Sequence, residues 1–263
     1  MTTSIGFIGL GNMGAAIARG LQNVEIHGTD LNAAHVENLA NECGLIPAEN
    51  AEELASRCDF LVLAVKPQHA QSVCTALAPL LRKEQCLVSI CAGLPMHKLA
   101  EWTGHACPVV RVMPNTPALV GDGVFAVCLE DDKLKTSQKD VVRSLFDSLG
   151  QVHILPEQNF DAFTAVIGSG PAYVFYLMEA CIEAAVELGL ARPMATQMVE
   201  GLFTGSAQLA ATSDQHVSVL REMVTSPAGT TVEALIHMDR TAMRANMIDA
   251  IRACYERSIE LGQ

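Results

Sequence analysis

Two short stretches of this sequence carry residue types at spacings that can do chemistry. The first is Ser4-Ile5-Gly6-Phe7-Ile8-Gly9-Leu10-Gly11-Asn12-Met13-Gly14. An apolar strand, Ile5 to Ile8, runs into a G-x-G-x-x-G turn and then a helix over Ala15 to Leu21, and this context makes the glycine spacing informative. Gly9 permits the tight turn, Gly11 lets a pyrophosphate approach the backbone, and Gly14 lets the helix pack on the strand. The free N–H groups of the first helical turn attract the anion. Asp30 ends the unit, about twenty residues past the first glycine and just beyond a second short strand (Val24 to Gly28), where a carboxylate accepts hydrogen bonds from an adenosine ribose. A glycine turn serving only strand-helix packing is the plainer alternative. The second stretch is Val224-Thr225-Ser226-Pro227-Ala228-Gly229-Thr230-Thr231-Val232-Glu233. Thr230 and Glu233 have capping-box spacing, which predicts a helix start with Ala228-Gly229 as a sharp entry. The free N–H groups and the hydroxyls of Ser226, Thr230 and Thr231 suit a carboxylate plus one further polar atom. The same residues also occur as a simple helix cap.

The elements between these stretches must position them. After Asp30 the pattern predicts a helix (Ala33 to Glu42), a short strand at Leu45-Ile46, and a helix from Ala51 that ends before Asp59. Phe60 to Val65 is an apolar run of strand length and predicts a parallel strand buried on both faces. Pro67 suits the first turn of a helix to Leu81. Cys86 to Cys91, a helix over Pro95 to Trp102, and Val109 to Val112 follow, and the two prolines of Met113-Pro114-Asn115-Thr116-Pro117 stop that last strand. Val124 to Leu129 and Val152 to Leu155, flanking a helix over Ser137 to Leu149, complete the sheet. Alternating strands and helices imply an α/β fold, a doubly wound, mostly parallel sheet of Rossmann type that binds its ligand beyond the carboxyl ends of the strands.

Near Pro156 the character changes. Phe160 to Gln215 holds seven charged residues, and long helical patterns replace strands. The expected division is therefore 1–155 for the dinucleotide-binding domain and 156–263 for an all-α domain. In the helix from Pro171 to Leu188, Glu179, Glu183 and Glu187 form one narrow stripe while apolar residues cover most of the circumference. A second apolar helix covers Ala195 to Ala211. Such helices need burial on several sides, which implies an intertwined homodimer or a larger assembly of dimers. Burial within the monomer is the alternative.

Composition narrows the function classes. A net charge of -12 argues against nucleic-acid and anionic-membrane surfaces, which require clustered cations. The nine cysteines are odd in number, scattered and without a C-x-x-C pair, so neither a disulfide framework nor a zinc site is favoured, and a reduced, cytoplasmic setting is expected. The eight histidines have no metal-like spacing. No stretch of about twenty apolar residues occurs, so no membrane span is expected.

The motifs together resemble the pyrroline-5-carboxylate reductase family. The matching residues are Phe7-Ile8-Gly9-Leu10-Gly11-Asn12-Met13-Gly14, Ala64-Val65-Lys66-Pro67, Arg111-Val112-Met113-Pro114-Asn115-Thr116-Pro117, Gly168-Ser169-Gly170-Pro171-Ala172-Tyr173 and the loop from Thr225 to Thr231. Ala228 departs from the pattern, since the family usually has a second glycine there. The resemblance implies reduction of a cyclic imine carboxylate with NADP(H) or NAD(H). It makes Thr231 the hydrogen-bond partner of the ring nitrogen, with Ser226, Gly229 and Thr230 on the carboxylate. It also implies cofactor contacts at Asn50, Ala64, Val65, Lys66, Pro67, Cys91, Ala92 and Gly93, and no catalytic metal. Asp30 would bias the cofactor toward NADH, unless Leu31-Asn32 turns its carboxylate outward. Two rivals share the glycine motif: a beta-hydroxyacid dehydrogenase, which would need a lysine in the helical domain where this chain has none after Lys139, and a non-catalytic nucleotide-sensing module, which has no use for the polar loop at Ser226 to Thr231.

Overall fold

The computed structural model describes residues 3–262. Strands and helices alternate from the start: β1 (Ser4–Ile8), α1 (Asn12–Gly20), β2 (Glu25–Thr29), α2 (Ala33–Cys43), β3 (Ile46–Pro47), α3 (Ala51–Arg57), β4 (Phe60–Leu63), α4 (Pro67–Leu77), β5 (Cys86–Ser89), α5 (Met96–Trp102) and β6 (Val109–Met113). A short 3-10 segment (Thr116–Val120) leads to β7 (Gly123–Cys128), and α6 (Thr136–Ser144) leads to β8 (Gly150–Ile154). The eight strands lie in the order β3-β2-β1-β4-β5-β6-β7-β8. All pairs are parallel except β6 with β7. The segment joining β6 to β7 is too short for the crossover that a parallel pair needs. The chain winds outward on both sides from β1, so the strand order reverses between β1 and β4, where an open α/β sheet leaves a crevice.

Helices cover both faces of the sheet, which is why Phe60–Leu63 and Cys86–Ser89 are buried along their whole length. One core packs Ile5, Phe7, Ile17, Val62, Val88, Phe125 and Phe146 on one side, and a second packs Leu54, Leu61, Leu63, Leu77, Leu87 and Leu99 on the other. Cysteines act here as small apolar residues. Burial pushes the thiols of Cys58, Cys74 and Cys128 up to about 12 and those of Cys91 and Cys107 up to about 11.

Several elements are shorter than their sequence patterns. β4 stops at Leu63 because Ala64-Val65-Lys66 turns toward α4, and α4 ends at Leu77 rather than Leu81. The helix expected over Ser137 to Leu149 breaks after Ser144, and a 3-10 turn (Asp147–Leu149) precedes Gly150, whose φ of +143° an L side chain rarely adopts.

Beyond β8 a 3-10 turn (Glu157–Asn159), α7 (Phe160–Phe163) and a π turn (Thr164–Gly168) run into α8 (Gly170–Glu187). Then come α9 (Arg192–Thr212), α10 (Val217–Met223), α11 (Thr230–Arg240) and α12 (Met243–Gly262). α7, the π turn, α10 and α12 have no counterpart in the sequence reading. The sequence pattern changes near Pro156, and the compact units divide later: one contains the sheet, the residues through Ser169 and those from Cys254 on, and the other is Gly170–Ala253. Phe160 and Phe163 pack with Ala126 and Cys128 in the first unit. So does the end of α12, where the Ser258 hydroxyl donates to Asp161 at 2.7 Å. In the second unit α8 has no buried residue, with Phe175 63% and Tyr176 73% exposed. Across Glu157–Glu187 the mean hydropathy reaches 1.4, long and apolar enough to cross a membrane by length and composition alone.

Candidate functional site

The carboxyl ends of β1, β2, β4 and β5 carry most of the candidate cofactor residues along one edge of the first unit. Gly9 leaves β1 at φ +96°, and a Cβ there would lie 2.7 Å from the Ala64 carbonyl oxygen, so both the turn and the close approach of the β4 loop exclude a side chain. Gly14 is excluded from change by packing alone, since its Cβ would fall 2.5 Å from the Gly9 carbonyl oxygen. Gly11 differs from both. It is the N-cap of α1, no side chain caps the helix there, and a Cβ would meet nothing within 4 Å. The missing side chain thus opens onto space in front of the first-turn amides of Asn12, Met13 and Gly14, an arrangement that fits a pyrophosphate.

Asp30 sits beside this loop. Its Oδ2 accepts from the Leu10 N–H at 2.6 Å and its Oδ1 from the Asn32 N–H at 2.8 Å, so the carboxylate faces the glycine turn and is held from two directions. Asn32 in turn caps α2, accepting from the Ala34 N–H at 3.1 Å. Leu31, between them, is fully exposed. On the other side of β1, Lys66 is the N-cap of α4 and Pro67 its first residue, a position where the missing donor is no loss. The Cys91 thiol lies 3.2 Å from the Val65 carbonyl oxygen and 3.5 Å from that of Leu63, tying the β5 loop to the β4 loop. Burial raises this thiol to about 11, so it is a neutral donor at physiological pH. Ala92 is exposed, and Gly93 has φ +74° with Leu261 of α12 against it. Asn50 follows β3 at the far end of the same edge. Its Oδ1 accepts from the Glu53 N–H at 2.9 Å, which makes it the N-cap of α3.

In the sequence Met113 to Pro117 reads as a strand stop and a family signature, with no place in the site, but β6 runs parallel to β5 and so delivers this segment to the same edge. Buried Asn115 is its strut: Oδ1 accepts from the Val124 N–H at 2.9 Å and Nδ2 donates to the Ile167 carbonyl at 3.4 Å. The available signal was a pair of prolines directly after a parallel strand. Arg111 in β6 is buried, pairs with Glu157 at 3.1 Å and lies 4.8 Å over the Phe160 ring. It fastens the start of the helical region to the sheet.

The polar loop belongs to the second unit. The Gly229 N–H donates to the Ser226 carbonyl at 3.1 Å, closing a turn with Pro227 second and Ala228 third. Ala228 has φ +54°, and with proline fixing the preceding residue this is a type II turn, whose third position favours glycine. At Gly229 a Cβ would crowd the Ser226 hydroxyl, so glycine is what lets Ser226 fold over the turn. The expected capping box does not form. Gly229 is the N-cap of α11, one residue earlier than the Thr230 spacing predicts, no side chain caps the helix, and Glu233 lies in the first turn. Thr225 spends its hydroxyl on the Arg221 carbonyl at 2.7 Å. Among the described residues none partners the hydroxyls of Ser226, Thr230 or Thr231, so three hydroxyls and an uncapped helix start are grouped on one loop. Among the described residues no group of three His, Cys, Asp or Glu is placed to hold a metal ion.

A Rossmann-type sheet with a glycine-lined edge, joined to a helical unit bearing an uncapped polar loop, defines a two-part α/β protein of the dinucleotide-binding class. Residues 157–261 match the family model for pyrroline-5-carboxylate reductase dimerisation, and residues 4–93 match that for NADP oxidoreductase, coenzyme F420-dependent. The chain is 38% identical to pyrroline-5-carboxylate reductase of Pseudomonas aeruginosa, with 100% of this chain and 98% of that protein covered. Among solved structures it is similar to the Coxiella burnetii pyrroline-5-carboxylate reductase, with a TM-score of 0.91, 32% identity and 100% of both chains covered. It is also similar to the Plasmodium falciparum pyrroline carboxylate reductase with NADP bound, with a TM-score of 0.87, 34% identity and coverage of 99% and 98%. The chain belongs to the pyrroline-5-carboxylate reductase family.

Proposed function

We propose that this protein reduces 1-pyrroline-5-carboxylate to L-proline with NAD(P)H, the last step of proline biosynthesis. The observation that carries this reading is the uncapped α11 start with the free hydroxyls of Ser226, Thr230 and Thr231, found in a family member that covers 98% of its Pseudomonas aeruginosa relative. Residues 1–155 hold the dinucleotide, through Gly9 to Gly14, Asp30, Asn50, Ala64 to Pro67 and Cys91 to Gly93. Residues 156–263 supply the substrate loop and the self-association surface. When bound, the reduced nicotinamide supplies the hydride.

The chain's own work is positioning. A protonated ring C=N is already electrophilic at carbon, so little acid-base machinery is required. The Thr231 hydroxyl hydrogen-bonds the ring nitrogen and so fixes which carbon is presented. Ser226, the Gly229 N–H and Thr230 hold the carboxylate, helped by the positive end of α11. The absence of any lysine after Lys139 removes the general acid or base that the hydroxyacid dehydrogenase reading needs. The apolar surface of α8 and α9 is covered by a second copy, giving a homodimer or a larger assembly of dimers, rather than by lipid. The family model that spans these helices is described as a dimerisation region. We read it as a cytoplasmic enzyme without nucleic-acid or membrane partners, a reading that the acidic charge and the free cysteines support.

The test is cyclic-imine-dependent oxidation of NADH and of NADPH, followed by absorbance, with light scattering on the same sample. Proline formation by a dimer or larger species supports the reading. Cofactor binding without turnover would replace it with the nucleotide-sensing module.

A further inference from the structure

The family reading leaves open which phosphate state of the cofactor this chain takes, and the end of β2 speaks to it. The side chain beyond β2 faces the adenosine ribose in this fold, and a carboxylate there accepts hydrogen bonds from a free 2′-hydroxyl, whereas a 2′-phosphate needs a cation in its place. In this chain the residue is Asp30, and its carboxylate is anchored by the Leu10 N–H at 2.6 Å and the Asn32 N–H at 2.8 Å. Outward rotation would break both bonds and leave the Leu10 amide, within the glycine turn itself, without its acceptor. Each carboxylate oxygen keeps a second lone pair for a ribose hydroxyl.

The surroundings point the same way. From Gly20 to Ser56, a stretch that contains all of β2, α2 and β3, there is no lysine or arginine, while Glu25, Asp30, Glu37, Glu42, Glu49, Glu52 and Glu53 are all acidic. The two arginines that bracket the stretch are engaged: Arg19 pairs with Glu42 at 2.7 Å and Arg57 with Glu53 at 2.9 Å. Lys66 follows β4, on the opposite side of β1 from β2. It suits the pyrophosphate and not the ribose that Asp30 faces.

We infer that Asp30 is a specificity-determining residue that makes a dinucleotide with a free 2′-hydroxyl, NADH, the preferred reductant, and that it also holds the glycine loop in shape. This rests on the dinucleotide part of the proposed function and is independent of the imine.

Equilibrium titration of the full-length protein with NADH and with NADPH, read by nicotinamide fluorescence without substrate, tests it. Adenosine 2′,5′-bisphosphate against AMP serves as a second pair of probes. The unaltered chain is expected to bind NADH at least tenfold more tightly than NADPH, with the same order for the shorter pair and a smaller ratio at high salt, because like-charge repulsion is screened. Asp30→Asn keeps an acceptor for the Leu10 N–H and removes the charge, so the ratio should fall at least fivefold. Leu31→Arg places a cation next to an untouched Asp30 on a fully exposed side chain, and should improve NADPH alone. If Asp30→Asn binds neither cofactor, the Leu31→Arg ratio decides. Equal or tighter NADPH binding by the unaltered chain overturns the inference, as does a ratio that the deciding variant leaves unchanged. Failure of the unaltered protein to bind either cofactor would instead overturn the proposed function. Binding with the expected preference but no imine reduction would spare this inference.

Discussion

Ala228 offers a clean perturbation of the substrate loop. Its φ of +54° lies in the left-handed region, which costs a residue with a Cβ about 1 to 2 kcal/mol. The side chain is exposed, so removing the methyl sacrifices no packing. Glycine relieves the strain but adds freedom to the unfolded chain, a cost of about 0.4 to 1 kcal/mol. Ala228→Gly is therefore expected to stabilise the protein by about 0.5 to 1 kcal/mol, a rise in Tm of roughly 1 to 4 °C for a chain of this length. Ala228→Val should do the opposite and by more, since a β-branched residue tolerates positive φ worst. Ala242, also exposed and at φ +56° between α11 and α12, is the internal control and should respond to glycine in the same direction. Thermal unfolding measures all three, and imine kinetics on the Ala228 variants show whether the strain is coupled to substrate binding. A lower Tm for Ala228→Gly together with a neutral Ala228→Val would refute a left-handed residue in this turn.

Thr231→Ala is expected to lower kcat/KM for the imine by about ten- to a hundredfold with cofactor affinity unchanged, because a hydrogen bond to a charged group is worth about 1.5 to 3 kcal/mol. Ser226→Ala should mainly raise KM, since the carboxylate is held equally before and during hydride transfer; steady-state kinetics separate the two patterns. Gly11→Val should abolish dinucleotide binding in a folded protein, since its side chain points into open space, whereas Gly14→Val should unfold the α1 packing against Gly9; circular dichroism with cofactor titration distinguishes them. Alkali should destabilise the fold. The thiols of Cys58, Cys74, Cys91, Cys107 and Cys128 titrate higher folded than unfolded, so their contribution is intact below pH 9 and is lost as pH rises from 9 toward 12. The loss is about 1.4 kcal/mol per thiol one unit above the unfolded value, and urea unfolding at pH 8 and pH 10 would expose its absence.

The sheet was legible because its strands are short apolar runs punctuated by Gly, Pro and Asp. Phe60 to Leu63 needs no partner information to read as a buried strand. The glycine loop was legible for a related reason, since backbone geometry at Gly9 and packing at Gly14 admit few residue types, while Asp30 stood out by its place just past a short strand. What sequence could not supply were facts of long-range contact. Nothing local announces that Ser258 reaches Asp161, that Asn115 joins Val124 to Ile167, or that Phe160 packs under Arg111. The end of β4 was misplaced by two residues because Ala64-Val65 is as apolar as the strand it leaves. The capping box at Thr230 failed for a physical reason: Gly229 already has extended backbone at φ -82° and ψ 170° and takes the N-cap position itself. Asn50 has a structural role that the family analogy did not announce, since its side-chain carbonyl caps α3.

The return of α12 to the sheet bears on how this chain is made. The first unit is discontinuous: Gly170–Ala253 lies between its larger part and the residues from Cys254 on. Ser258 and Leu261, which contact Asp161 and Gly93, therefore leave the ribosome only after the helical unit. During synthesis the nascent sheet must wait with its Gly93 loop uncovered until the helical unit has emerged. Cutting the chain before Ser258 would consequently disturb the dinucleotide edge, whose other residues are made far earlier.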